Sequence, residues 1–471
     1  MTLSGDSPDW SITQQSEALA SGHLSAVELI GAYLERIDAL DGKLHAYVEV
    51  YATEARLAAE AADKARRSGH ALGPLHGIPI ALKDLADIEG RITTGGCALW
   101  KNRRSKVTAT LVRRLIAQGM IVLGKTHMVE FAFGGWGTNT GMGTPWNPWD
   151  LQQARTPGGS SSGSGVAVAA RLAPWALGTD TGGSVRLPAS LCGITGLKTS
   201  AGRISNYGVL PLSQTLDTPG PMGATAKDVA QLYLVMQGPD PLDRRTLGLP
   251  PELTLRTLHK GVAGLRLARM PDSEREGVSS PVLAAYDRSL DELSRLGAEI
   301  VSLRLPVSFS DVAALNGRIM AAESYALLAD TVDDVDLALD EDVRPRILAG
   351  RGITAYDYLR ALARRNQMID EFDHALAEVD ALLTPTTATT AIPLTQVDQG
   401  NAPSRFTRFA NFLDLCAIAM PNGADENGLP TSLHVMCRRY DEAMALRIGC
   451  AYQKATDWHM RRPVLDTHFA H

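Results

Sequence analysis

Cysteine is scarce in this chain, and its five copies (Cys97, Cys192, Cys416, Cys437 and Cys450) are odd in number and show no C-x-x-C spacing. That excludes a disulfide framework and the usual zinc-ligand pattern. A basic excess is missing too: 46 Lys and Arg stand against 52 Asp and Glu over 471 residues, a formal net charge of −6. Such a balance argues against nucleic acid or an anionic membrane as partner. The one short basic run, Lys101-Asn-Arg-Arg-Ser-Lys106, reads as a solvated surface stretch. No apolar stretch is long enough to span a bilayer, and residues 1–9 lack the basic and apolar regions of a secretory leader. Internal repeats are absent. These absences lead us to expect a reduced, soluble, cytoplasmic protein.

What the chain does hold is an alternation of short apolar runs with amphipathic segments. Ser25-Ala-Val-Glu28 is a capping box, with Leu24 and Leu29 placed as a hydrophobic staple, so a helix begins there and runs to about residue 40. Residues 54–67, 108–118 and 166–172 carry helical spacing, while 75–82, 120–123 and 175–177 read as strands. In the second half, 325–339, 355–379 and 441–455 are helical and 381–383 and 433–435 are strands. The pattern specifies an α/β protein. Residues 237–251, mixed in charge and interrupted by Gly and Pro, are the best boundary or insertion loop. The acidic run Asp333-Asp-Val-Asp336 and Asp340-Glu-Asp342 lacks the glycine spacing of a calcium loop and reads as a solvated helix face.

Glycine and serine concentrate in two turns, Thr156-Pro-Gly-Gly-Ser-Ser-Ser-Gly-Ser-Gly165 and Gly178-Thr-Asp-Thr-Gly-Gly-Ser-Val-Arg186. Glycine loses extra backbone entropy on folding, so such clusters persist where backbone must approach something closely or adopt positive φ. Two motif matches here fail on context. Gly119-Met-Ile-Val-Leu-Gly-Lys-Thr126 fits a phosphate loop, but its middle is itself an apolar strand following a helix, the inverse of what phosphate wrapping needs. Gly159-Ser-Ser-Ser-Gly163 fits a nucleophile elbow, but the upstream segment is polar and ends in Pro157. The downstream histidines His259, His374, His434 and His459 sit in no recognisable loop signature. A serine nucleophile needs a base, and with no convincing histidine, Lys83 at the end of an apolar strand is the best remaining one. It would have to be neutral, through burial or neighbouring positive charge. Taken alone, Lys83 would more simply be paired with Asp84 or another acid.

Gly77-Ile-Pro-Ile-Ala-Leu-Lys-Asp84, the two serine turns, Cys192-Gly-Ile-Thr-Gly-Leu-Lys198, Gly202-Arg-Ile-Ser205, Leu216-Asp-Thr-Pro-Gly-Pro-Met222 and Leu383-Thr-Pro-Thr386 together resemble the amidase signature family. The resemblance is specific over 75–222 and looser to the C-terminus. It implies one α/β domain over 1–471, with a central mixed β-sheet flanked by helices on both faces and a more helical, substrate-shaping second half at 252–471. It also implies a Ser–cis-Ser–Lys triad: Lys83 matches the base, Ser160 the serine on a cis peptide, and Ser184 the nucleophile. Backbone N–H groups of Thr181, Gly182, Gly183 and Ser184 match the oxyanion hole. No metal or cofactor is implied. Ser162 stands where many members have glycine, and Lys198-Thr-Ser200 replaces Lys-Pro-Thr, without loss of a catalytic group.

The implied activity is hydrolysis of a carboxylic amide C–N bond through an acyl-enzyme on Ser184. Phe133, Gly134, Gly135 and Trp136 lie where relatives line the acyl pocket, which suggests a small aryl or apolar acyl group; an ordinary core role is the competing reading. Arg346 lies in a region that reaches the pocket in relatives, although a solvated helix position is the simpler assignment. In glutaminase subunits of amidotransferases an acid precedes a T-x-x-x-N segment; here that segment is Thr407-Arg-Phe-Ala-Asn411, and Ser404 stands at the acid's place. An ammonium needs a charged partner in a buried pocket, which argues against free glutamine. The expected partners are therefore a small-molecule amide and water, with no nucleic acid or membrane, and a homodimer is compatible with this reading. The alternatives are a catalytic member of a multi-subunit, glutaminase-type assembly, or a hydrolase of ureas or hydrazides.

Overall fold

The computed structural model describes residues 7–465; the first six residues of the stretch read for a leader lie outside that range. Eleven strands in the described residues form one sheet. They are β1 (Tyr47–Val50), β2 (Pro79–Lys83), β3 (Ile121–Thr126), β4 (Trp175–Asp180), β5 (Thr195–Lys198), β6 (Thr218–Gly223), β7 (Arg266–Arg269), β8 (Glu299–Ser302), β9 (Ala381–Pro385), β10 (Cys416–Ala424) and β11 (Pro430–Cys437). Their spatial order is β1-β3-β2-β4-β6-β5-β10-β11-β9-β7-β8. The sheet is mixed: β2 runs parallel to both β3 and β4, β7 runs parallel to β8 and β9, and the central strands are antiparallel. Helices flank it, as expected for the α/β class.

Burial explains why these segments become strands. Every residue of β2, β4, β5, β9 and β11 is buried, the signature of strands covered on both faces. β6, with sequence Thr-Pro-Gly-Pro-Met-Gly, is the strand that propensity misses. Proline cannot donate to a ladder, and β5 pairs with β6 only at Met222 and Gly223, beyond Pro219 and Pro221. The helix Ala26–Leu44 begins at the Ser25–Glu28 capping box, both arms of which are made.

Other boundaries shift for physical reasons. The helix expected at 325–339 spans Phe309–Val332 instead. The acidic run after it is not a helix face: Asp340 is buried and accepts from Thr140 N and Oγ1, both at 2.9 Å. The phosphate-loop match becomes β3, an ordinary buried strand. No helix among the described residues is long and apolar enough to cross a membrane.

Candidate active site

Parallel pairing of β2 and β4 puts the end of β2, carrying Lys83, beside the strand that leads into the second serine turn. Lys83 is fully buried, and its Nζ donates to Ser160 Oγ at 2.7 Å and to Thr179 Oγ1 at 2.9 Å. The competing pairing with Asp84 is not made. Asp84 instead faces Lys125, at 3.3 Å, and accepts from Thr94. Burial drives the Lys83 ammonium down to about 7, against the opposing pull of the Asp217 and Asp180 carboxylates.

The first serine turn is built by backbone packed on backbone. Gly158 N donates to Trp136 O at 3.1 Å and Gly159 N to Gly135 O at 2.8 Å. A Cβ on Gly159 would stand 2.6 Å from the Gly134 carbonyl, so no larger residue fits. The Gly159–Ser160 peptide is cis. The following helix, Ser162–Ala169, lies so close to the chain at Ala46 and His127 that a Cβ on Gly163 would meet the Ala46 carbonyl at 2.2 Å. Ser161 N then donates to Ser184 O at 3.3 Å, which joins the two serine turns.

Asp180, at the end of β4, organises the second turn. Its carboxylate accepts Gly183 N–H at 2.7 Å, Val185 N–H at 3.2 Å and the Arg186 guanidinium at 2.8 Å. Burial opposes ionisation there, but the Arg186 charge, Lys198 and the Asn411 amide hold the carboxyl well below its usual range. Gly183 N–H is thereby committed to Asp180. Among the described residues, the N–H groups of Thr181, Gly182 and Ser184 donate to no protein acceptor. Thr181 Oγ1 is fixed by Asp217 at 2.5 Å.

The T-x-x-x-N segment reaches the same loop from the second half of the chain. Thr407 Oγ1 donates to Gly182 O at 2.8 Å, and Asn411 Nδ2 donates to Asp180 at 2.8 Å. Its motif spacing was visible in sequence, its contact with the second serine turn was not. His434, fully buried, lies 2.9 Å from Arg186 and forms no acid–base pair with a serine. Burial, then the Arg186 charge, keeps it neutral.

Phe133, Gly134, Gly135 and Ser404 line the cleft that opens on Ser184. Trp136 does not: it packs under the 398–401 loop, donating from Nε1 to Asp398 O at 3.2 Å and Asn401 O at 3.1 Å. Arg346 is no solvated helix residue; it is half-buried, donates to Phe133 O at 2.7 Å, and lines the cleft together with Arg408. Sequence reasoning passed over Arg408, because an arginine between two phenylalanine-bearing turns reads as ordinary helix surface. A larger cavity, ≈ 880 Å³, opens far from this chemistry against Lys227, His259, Cys450 and Lys454.

A buried lysine against a serine, a second serine on a loop of uncommitted N–H groups, and a cleft opening there are the features that the resemblance to the amidase signature family implies for its site. Residues 28–446 match the Amidase family, and the chain belongs to that family of enzymes, which cleave amide C–N bonds. It is 39% identical to a glutamyl-tRNA(Gln) amidotransferase subunit from Thioalkalivibrio sulfidiphilus, covering 96% of this chain and 98% of that protein. The native peptide amidase of Stenotrophomonas maltophilia is 30% identical, with a TM-score of 0.85 over 96% of this chain and 98% of that one. A solved chain from a complex described as vestigial, and as revealing the origins of an s-triazine catabolic enzyme, is 32% identical. It has a TM-score of 0.89 over 94% of this chain and 98% of its own.

These relatives correct one expectation. Partners limited to a small amide, water and a second copy do not fit a chain whose relatives, matched over nearly their full length, are subunits of an amidotransferase.

Proposed function

We propose that this protein hydrolyses a carboxylic amide through an acyl-enzyme on Ser184, with Ser160 and neutral Lys83 as the proton relay. The observation that carries the reading is the 2.7 Å bond between Lys83 Nζ and Ser160 Oγ, made by a lysine that forms no ion pair among the described residues. Lys83 takes the Ser160 proton as Ser160 takes that of Ser184, and Ser184 Oγ forms the bond to the amide carbon. The oxyanion gathers the N–H groups of Thr181, Gly182 and Ser184, whose worth is realised as charge develops on that oxygen. The relay then protonates the leaving nitrogen, the C–N bond breaks, and water repeats the sequence in reverse to release the acid.

Ser184→Ala and Lys83→Ala should each lower amide turnover by about 10⁴-fold or more with the fold intact. Ser160→Ala should cost about 10²–10⁴-fold, the usual worth of proton transfer. Substantial activity in the first two variants would sink the relay.

A second reading concerns assembly, and the names of the relatives favour it: this chain works as the catalytic subunit of a cytoplasmic hetero-oligomer. Affinity capture of the full chain from its own cells should recover a second polypeptide in fixed stoichiometry. Recovery of the chain alone would reject this reading and leave the catalytic one standing.

A further inference from the structure

Two arginines line the cleft at Ser184, and neither makes an ion pair among the described residues. We propose that Arg408, supported by Arg346, is a carboxylate-recognition subsite, so that the substrate is an amide bearing a carboxylate and no ammonium. The inference rests on the reading of Ser184 as the nucleophile.

Arg408 rises from the helix Thr407–Phe412 and lies along the oxyanion loop: a Cβ on Gly182 would stand 3.4 Å from Arg408 Cγ and 3.6 Å from its Nε. Among the described residues its guanidinium makes one weak bond, to the Ala313 carbonyl at 3.3 Å, and its Nε has no partner. Beside it the Asn316 amide, fully buried, is unpartnered among the described residues at both Oδ1 and Nδ2. Burial, and then the charge of Arg346, lowers the Arg408 guanidinium to about 10. A cation in that position lacks the neutralisation that buried charges ordinarily have.

The nearby acids are committed elsewhere. Asp340 accepts from Thr140 and Asp342 bonds to Gln399; both carboxylates act on Arg346 from a distance, but neither forms an ion pair with it. Among the described residues, no acidic side chain lines the cleft. A ligand carboxylate would supply the missing charge and take up donors in the fork geometry that guanidinium groups offer. The same absence of acid excludes a bound ammonium. Ser404, which lines this cleft at the place expected for an acid, offers only a hydroxyl. The pocket is therefore not built for an apolar acyl group alone, even though Phe133 forms part of its wall.

Three amides separate the possibilities: glutaramate (carboxylate without ammonium), glutamine (the same chain with an α-ammonium) and pentanamide (neither). Binding is read by calorimetry on the full-length Ser184→Ala protein, purified with any companion chain, and turnover is read on the unmodified protein. Glutaramate should bind about 10- to 100-fold tighter than either of the others, the range of a charge-assisted hydrogen bond. Arg408→Met should erase that preference and Arg408→Lys should restore part of it. Equal binding of glutaramate and pentanamide, or tighter binding of glutamine, overturns the subsite. Should Arg408→Met fail to fold, competitive displacement of glutaramate by glutarate on the Ser184→Ala protein supports the subsite instead, and no displacement rejects the proposal. Tight glutaramate binding without turnover of any amide rejects the catalytic reading and leaves the subsite intact.

Discussion

The Asp84 carboxylate faces Lys125 Nζ at 3.3 Å, although Lys83 is its neighbour in the chain. Register explains the choice. Lys83 is paired with Thr126 and Leu82 with Lys125, so strand alternation sends the two buried lysines to opposite faces of the sheet. Lys83 is left for Ser160 and Thr179 because another lysine takes the acid. Lys125→Met should therefore destabilise the protein by about 3–5 kcal/mol, the cost of stranding a buried charge. Denaturant unfolding measures it, and a loss below about 0.5 kcal/mol would show that the pair carries little.

The acid limb of the pH–rate profile should report Lys83. With its ammonium lowered to about 7 by burial, the group is protonated and inactive below that pH and neutral above it. kcat/KM should rise through pH 7 and fall to about a tenth of its plateau at pH 6. Asp217 pulls the lysine upward, so Asp217→Asn should move the limb to lower pH. A shift to higher pH would contradict the assignment.

Asp180 joins stability to catalysis. Asp180→Asn keeps the shape but leaves the buried Arg186 without its charge partner. We expect a loss of about 3–5 kcal/mol in unfolding free energy and a drop in kcat larger than any rise in KM. Unchanged stability would mean that Asn411 and His434 hold Arg186 without the carboxylate.

Gly183 tests the loop itself. Its φ is +132°, and a Cβ there would stand 2.3 Å from Thr407 Oγ1 and 2.8 Å from Thr407 Cβ. Gly183→Ala should displace the oxyanion loop and lower kcat by about 10²–10³-fold, the worth of one donor. Wild-type kcat in this variant would show that the loop tolerates the shift.

The residues of the proposed relay could be singled out in sequence because their motifs are written locally. Glycines mark close backbone approach, and the residues flanking Lys83, Ser160 and Ser184 carry family motifs. The capping box at Ser25 and the buried runs of β2 and β3 were legible for the same reason. β6 was hidden because Pro219 and Pro221 read as turn residues until the register with β5 is known. Asp340 and Arg346 were read as solvated, since charge in a polar stretch carries no sign of what folds over it. Arg408 could not be placed against Gly182 from spacing, because that contact brings a helix from the second half of the chain against the loop that follows β4.

The bonds from Thr407 to Gly182 and from Asn411 to Asp180 bear on how far this enzyme can be dissected. A fragment ending at Met222 would keep every residue of the proposed relay and still lose the clamps on the loop proposed to receive the oxyanion. It would also bare the edge of β5 where β10 now pairs. The serine turns are short, but the machine they build is not portable: grafting them onto another sheet would carry the reagents without the vice that holds them.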